Sequence, residues 1–566
     1  MKKNTKKLFA MAAAIVMAVS MMTSCGSGSD NGAMESPTMK ADKEAAVDNG
    51  GDTAAIRTEE EFGGDMTDET EAFDGYYSDE ALPEVNTEEY NYYAENSFLS
   101  VAEHPLSTFS TDVDTASYTN VRRMIENRQQ IFPDAVRTEE FINYFKYNYA
   151  MPEGDDKIGI STELSDCPWN PDAKLMQIGL QAKDIDVQDI DSNIVFLIDV
   201  SGSMADENKL PLVTQAFAML AENLGENDRI SIVTYAGRDT VELEGESGAN
   251  YTKIASTLAG LTAGGSTAGA AGINTAYELA EKYFIEGGNN RVILATDGDL
   301  NVGLSSEAEL KELIEEKRDK GVYLSVLGFG MGNYKDNRLE ALADNGNGNY
   351  AYIDSVEEAQ RVLVTEMSGT MFTVAKDTKV QVEFNPANVA YYRLVGYENR
   401  LLEDQDFEDD TKDAGDVGAG QQVTVLYEII TTDSTAADSD DSRRTLKYQD
   451  DVDYPAPEKT ELDEEDLNKE LLTVSVRYKE KDENDSKLID KPVKLAAYVD
   501  GSKMSDNMKL ACAAAMFAKT LGNSEDKFTM EEIRNYAKGL ELDAEDLLKL
   551  IAEYEDYYEG NSAYAQ

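Results

Sequence analysis

The run Ile194-Val195-Phe196-Leu197-Ile198, followed at once by Asp199-Val200-Ser201-Gly202-Ser203, decides the fold. Five consecutive apolar residues with no polar alternation describe a strand buried on both faces, and the polar residues that end it open a loop. The pattern recurs downstream. An amphipathic stretch, Lys209 to Leu224, leads to a second short apolar run, Ile230 to Thr234. A helical segment through Ile273, Tyr277 and Leu279 precedes further runs at Val292 to Ala295 and Leu324 to Leu327. Doubly buried strands alternating with helices predict an α/β fold with a doubly wound, mostly parallel sheet over 191–375. Such sheets bind ligands beyond the carboxyl ends of their strands. Three chemically unusual segments stand there: Asp199 to Ser203, Gly264-Gly265-Ser266-Thr267, and Thr296-Asp297-Gly298-Asp299.

Alternation along D-x-S-x-S turns the carboxylate of Asp199 and the hydroxyls of Ser201 and Ser203 toward one point, while Gly202 permits the tight turn. Thr267 adds a hydroxyl from a second loop and Asp297 a carboxylate from a third. All five donors are oxygen, the ligand set of a hard cation such as Mg²⁺, with Mn²⁺ or Ca²⁺ as alternatives. Few direct carboxylates leave waters and an exchangeable position on such an ion, open to an Asp or Glu of another protein. A D-x-S after a strand also suits a helix cap. The placement of three such segments on neighbouring strand ends is what favours the metal.

The pattern D-x-S-x-S, then Thr, then Asp resembles the metal-ion-dependent adhesion site (MIDAS) of the von Willebrand factor type A domain. That resemblance implies metal ligation by Asp199, Ser201, Ser203, Thr267 and Asp297, with first-shell and water-mediated roles that change with state. Ser107 to Tyr144, including Ser107-Thr108-Phe109-Ser110-Thr111-Asp112-Val113-Asp114-Thr115, and Gly328-Phe329-Gly330-Met331-Gly332-Asn333 look like bacterial lipoproteins that carry such a domain. The likeness extends over about 97 to 560. Gly328 to Gly332 also invites a dinucleotide reading, but position 333 is Asn where the fingerprint needs its third glycine, so no nucleotide is expected.

Outward from this centre, charge and composition set limits. The 566 residues carry 51 Lys+Arg against 110 Asp+Glu, a formal net charge of -59, so a nucleic-acid-binding groove is excluded as the main activity and a polybasic membrane surface is disfavoured. His104 is the single histidine, and Cys25, Cys167 and Cys512 are the only cysteines, which removes the material for zinc sites, iron–sulfur sites and most Ser/His or Cys/His catalysis. Lys2, Lys3, Lys6 and Lys7 followed by the apolar run Leu8 to Met22 read as a secretory signal over 1–24. Met22-Thr23-Ser24-Cys25 resembles a bacterial lipobox, which implies acylation of Cys25 and attachment to the cell envelope through lipid. Positions 26 to 95 hold 20 acidic and 3 basic residues, a net charge of 3 - 20 = -17. That composition predicts a disordered tether over 25–96, in which only Tyr90, Tyr92 and Tyr93 suggest docking onto the next segment.

In a flanking region, 97–190, Asp114 or Thr115 is expected to cap a helix through Val121, Met124 and Ile125. Pro133 is expected to open a second through Val136, Phe141, Ile142 and Phe145. Ile158 to Leu164 and Lys174 to Ala182 alternate as strands. Asp112 with Asp114 could suggest a cation site, but a capping turn is favoured there, and His104 reads as a surface or structural residue. Over 376–500 the period becomes two at Val380, Val382 and Phe384, at Val423, Val425, Tyr427 and Ile429, and at Val474, Val476 and Tyr478, predicting antiparallel strands. Strands on either side of the α/β region are expected to join in one β-sandwich. The acidic stretches Glu403 to Asp416 and Asp433 to Glu470 read as loops, with calcium binding the sharper alternative. Helices through Leu510 to Leu521, Ile533 to Ala537 and Leu547 to Ile551 fill 501–566. Cys167 and Cys512 are able to pair after export, although Cys512 sits in an apolar run that suits a buried thiol. Two functions follow. One is a non-catalytic, surface-anchored adhesion or scaffold protein that binds a partner's carboxylate through Mg²⁺. The other is a metal-dependent phosphohydrolase using Asp199 and Asp297, disfavoured because Ser201 stands where that chemistry places a second acid.

Overall fold

Alternate residues of the strand Ser192–Asp199 enter different cores. Ile194, Phe196 and Ile198 pack with Leu210, Val213 and Phe217, and the Phe196 and Phe217 rings stack with centroids 4.2 Å apart. Val195 and Leu197 face the other way, onto Ile273, Ala276 and Tyr277. Helices therefore cover both faces of the sheet, which is why the strand carries no polar alternation. This is a computed structural model, and it describes residues 87–185, 190–265, 269–298, 307–332, 334–438, 469–480, 483 and 485–559. The signal segment, Cys25, nearly all of the expected tether, Thr267 and most of the second acidic stretch lie outside the described residues.

From edge to edge the central sheet runs Tyr350–Ile353, Val322–Phe329, Asn289–Thr296, Ser192–Asp199, Arg229–Tyr235 and Asp239–Ser247. All neighbours are parallel except the last pair, an antiparallel edge. Sequence patterning did not show that edge strand, because Val241 and Leu243 alternate with acids and the strand is largely exposed. The helix Leu210–Ala221 covers one face and Gly269–Lys282 the other.

Strands from both sides of this α/β region pair with one another. Lys174–Ala182 lies antiparallel to Gln422–Thr431, and Leu106–Ser110 to Thr373–Phe384. They belong to two sheets that share a core, where Phe384 stacks on Tyr392 at 4.1 Å and meets Tyr427 edge-on at 5.5 Å. The expected sandwich is thus present. The C-terminal helices Asp506–Leu521, Met530–Ala537 and Glu545–Tyr554 pack in a separate core with Ala116–Glu126 and Thr138–Asn143. Among the described residues no helix is long and apolar enough to cross a membrane.

Three local expectations need correction. Neither Asp114 nor Thr115 caps the helix Ala116–Glu126 through its side chain. Glu140 of the neighbouring helix does so, accepting from the Ser117 amide at 2.8 Å. Asp112 makes the favoured turn, its Oδ1 accepting from the Asp114 amide at 2.9 Å, and both carboxylates receive Arg400, at 3.1 and 3.4 Å, where a cation was the other reading. Pro133 opens a single 3-10 turn, and the helix starts only at Thr138. The first acidic stretch is not wholly loop, since it ends in the strand Gly415–Gly418. At the end of the expected tether, Tyr90 stacks on Phe132 at 5.9 Å and accepts from Asn120 at 2.8 Å, the docking its cluster suggested, whereas Tyr92 is exposed. His104 is exposed, and Cys167 and Cys512 are buried free thiols.

Candidate metal centre at the strand ends

Parallel pairing places Ile198 opposite Ala295, so Asp199 and the Thr296-Asp297 turn come together at the carboxyl ends of adjacent central strands. Asp199 is fully buried. Its Oδ1 accepts from the Ser201 amide at 2.8 Å, and its Oδ2 from the Thr296 hydroxyl at 3.3 Å. The Ser201 and Ser203 hydroxyls lie 3.0 Å apart, the first buried and the second exposed, so the site has a dry floor and a wet rim. Gly202 donates to the Gly265 carbonyl at 3.1 Å and Gly264 to the Val200 carbonyl at 2.7 Å. These bonds tie the loop leading to Thr267 alongside the first loop, although Thr267 itself lies outside the described residues. At Gly298, φ is +98°, and a side-chain Cβ would come within 2.6 Å of the Lys335 amide; only glycine allows Asp297 to be followed by so close a crossing.

Burial pushes the Asp199 carboxyl up to about 6 from an ordinary value of 3.8. The bonds from Ser201 and Thr296 oppose this shift, and the charge of Asp297 adds to it. A buried acid next to a second buried acid is an unfavourable arrangement that a divalent cation relieves. Among the described residues no group of three or more His, Cys, Asp or Glu is placed to hold a metal. A cation seated here would take its remaining donors from hydroxyls, and Ser201 and Ser203 present two. An oxygen-only set of this kind fits a hard divalent ion.

One residue at this site escaped the sequence reading. Lys209 is buried, and its Nζ donates to Asp297 Oδ2 at 3.1 Å. Lys209 immediately precedes the apolar helix Leu210–Ala221, whose N-terminus disfavours a cation, and only the fold shows the carboxylate that compensates it.

The von Willebrand factor type A domain matches residues 193–366, a second von Willebrand factor family matches 84–177, and "Uncharacterized protein YfbK, C-terminal" matches 369–555. The chain belongs to the bacterial von Willebrand factor type A domain proteins. It is 39% identical over 462 residues to uncharacterized protein YfbK of Escherichia coli (strain K12), covering 80% of this chain and 77% of that one. A solved von Willebrand factor type A protein from Catenulispora acidiphila is 13% identical, with a TM-score of 0.38, covering 70% of this chain and 89% of that one. Proximal thread matrix protein 1 of the mussel byssus, solved with a zinc-occupied MIDAS motif, is 22% identical, with a TM-score of 0.26, covering 31% of this chain and 44% of that one.

Proposed function

We propose that this protein is a non-catalytic adhesion or scaffold protein of the bacterial cell envelope, anchored by an acylated Cys25, that grips a partner's Asp or Glu carboxylate through Mg²⁺. Asp199, Ser201, Ser203, Thr267 and Asp297 hold the ion, and Mn²⁺ or Ca²⁺ can replace it. One observation carries the reading: a buried carboxylate, Asp199, whose protonation is favoured by burial, lies below two hydroxyls only 3.0 Å apart that lead to the surface. An ion seated there offers its open position to solvent and to a partner, whereas a hydrolase needs a nucleophile and a general base. The position two residues after Asp199, where the hydrolase chemistry places a second acid, is Ser201.

The test is capture of envelope proteins by the native, full-length protein in Mg²⁺ and then in chelator, repeated with Asp199→Ala. Loss of the same partner in both arms supports the reading. Capture that survives both rejects metal bridging, and Mg²⁺-dependent phosphate release lost with Asp199→Ala would promote the hydrolase instead.

A further inference from the structure

We infer that Lys209 is a counter-cation built into the metal site: its ammonium balances Asp297 when no metal is present and, by the same charge, weakens the hold on a divalent ion. This rests on the reading of Asp199, Ser201, Ser203, Thr267 and Asp297 as a metal centre.

The geometry gives Lys209 little else to do. Its side chain is 7% exposed and that of Asp297 1%, with the charged atoms 3.1 Å apart. Asp206, 3.9 Å away, is mostly exposed and contributes little. The approach of the lysine is prepared by a glycine on another loop. A Cβ at Gly330 would fall 2.3 Å from the Lys209 Cε, and φ there is +77°, so only glycine lets the stem pass. The Gly330 carbonyl is in turn held by the Tyr352 hydroxyl. A buried lysine at a helix N-terminus is costly both by desolvation and by the helix dipole. The compensation available is Asp297.

Two consequences follow from charge. Without metal, Asp199 and Asp297 would be two adjacent buried acids. The ammonium neutralises one of them and keeps the loops formed. With metal, any ion held by Asp297 shares that carboxylate with a fixed positive charge in a medium of low dielectric, where like charges repel strongly. The site is then stable empty and only moderately tight when filled, so occupancy follows the surrounding Mg²⁺ concentration.

Lys209→Met in the full chain keeps much of the stem and removes the charge. Mg²⁺ titration by calorimetry should give a dissociation constant at least tenfold lower than wild type. The melting temperature in chelator should fall, and the rise on adding Mg²⁺ should grow. Gly330→Ala, which displaces the stem without changing Lys209, should also lower the dissociation constant, by less; a Cβ at φ +77° strains the backbone by itself, so only its Mg²⁺ affinity is compared, and it serves if Lys209→Met does not fold. Wild type that binds Mg²⁺ while both variants bind it equally or more weakly overturns the role of Lys209 and leaves the metal site standing. Binding by Lys209→Met alone upholds the counter-cation and removes the metal from the native protein. No binding by any of the three overturns both.

Discussion

Arg122→Met should cost the folded state about 3 to 5 kcal/mol. Arg122 stands on the helix Ala116–Glu126 and reaches two other parts of the chain. Its Nε and Nη2 each meet Asp354 at 2.7 Å, its Nη2 also meets Glu358 at 3.0 Å, and its Nη1 meets Asp546 of the C-terminal helix at 3.0 Å. The Asp354 and Glu358 side chains are 4% and 1% exposed, whereas that of Asp546 is 35% exposed. The exposed pair is worth about 0 to 1 kcal/mol. Glu358 keeps Arg361. Asp354 alone is left as a buried carboxylate without a cation, and removing one partner of a buried pair carries the cost quoted above. Methionine preserves packing of the stem, so the loss reports charge. Urea unfolding followed by circular dichroism measures it by linear extrapolation, with the slope checked for two-state behaviour. Adding Asp354→Asn to Arg122→Met should recover most of the loss, because it removes the stranded charge. A loss below about 1 kcal/mol, or a double variant no more stable than the single one, would refute the assignment.

Other outcomes are expected. Asp416 has one carboxyl oxygen without a hydrogen-bond partner, and burial, assisted by Asp377, pushes its carboxyl up to about 8. Its folded value lies above the unfolded one, so its contribution is complete below about pH 4 and is lost as pH rises through about 8. Asp416→Asn should flatten the fall in stability between pH 5.5 and 8 by up to about 3 kcal/mol, read from urea midpoints, and an unchanged slope would discount the burial. Cys25→Ala should move the protein from the membrane fraction to the soluble fraction or leave it unprocessed, and mass spectrometry should find acyl groups only on the wild type. Removal of Lys2, Lys3, Lys6 and Lys7 with the signal takes the formal charge to -59 - 4 = -63. An acidic partner is then repelled as it comes within about 8 Å, the range that physiological salt leaves unscreened, and moderate added salt should speed its association in stopped-flow measurements; a steady slowing would indicate an ordinary salt-bridge interface.

The central sheet was legible because its strands are buried on both faces, which leaves unbroken apolar runs such as Ile194 to Ile198. The strand Asp239–Ser247 was not, since an edge strand with one solvated face carries charges at alternate positions and resembles a loop. The clustering of four candidate positions was legible from spacing, since the structure brings Asp199, Ser201, Ser203 and Asp297 to one end of the sheet; Thr267 is outside the described residues. Lys209 was hidden because its partner lies 88 residues away, and only the fold makes them neighbours. The use of Asp112 and Asp114 was hidden for the same reason, since Arg400 arrives from the sandwich side of the chain.

The segment entering at Thr87 has a mechanical consequence. Thr87 and Glu89 donate backbone bonds to Gly332 and Tyr334 at 2.8 and 3.0 Å, Glu89 bridges Lys335 in parallel, and Glu88 is locked onto Arg123. A pull applied through the preceding chain is therefore resisted first by this short parallel seam and by one buried ion pair. The seam sits on the loop whose Tyr334 and Lys335 backbone crosses Gly298, the residue after Asp297. Tension on the leading end of the chain is transmitted to the loop of Asp297 before it reaches either β-sheet of the sandwich, so under the proposed function stretching and gripping would act on the same few residues.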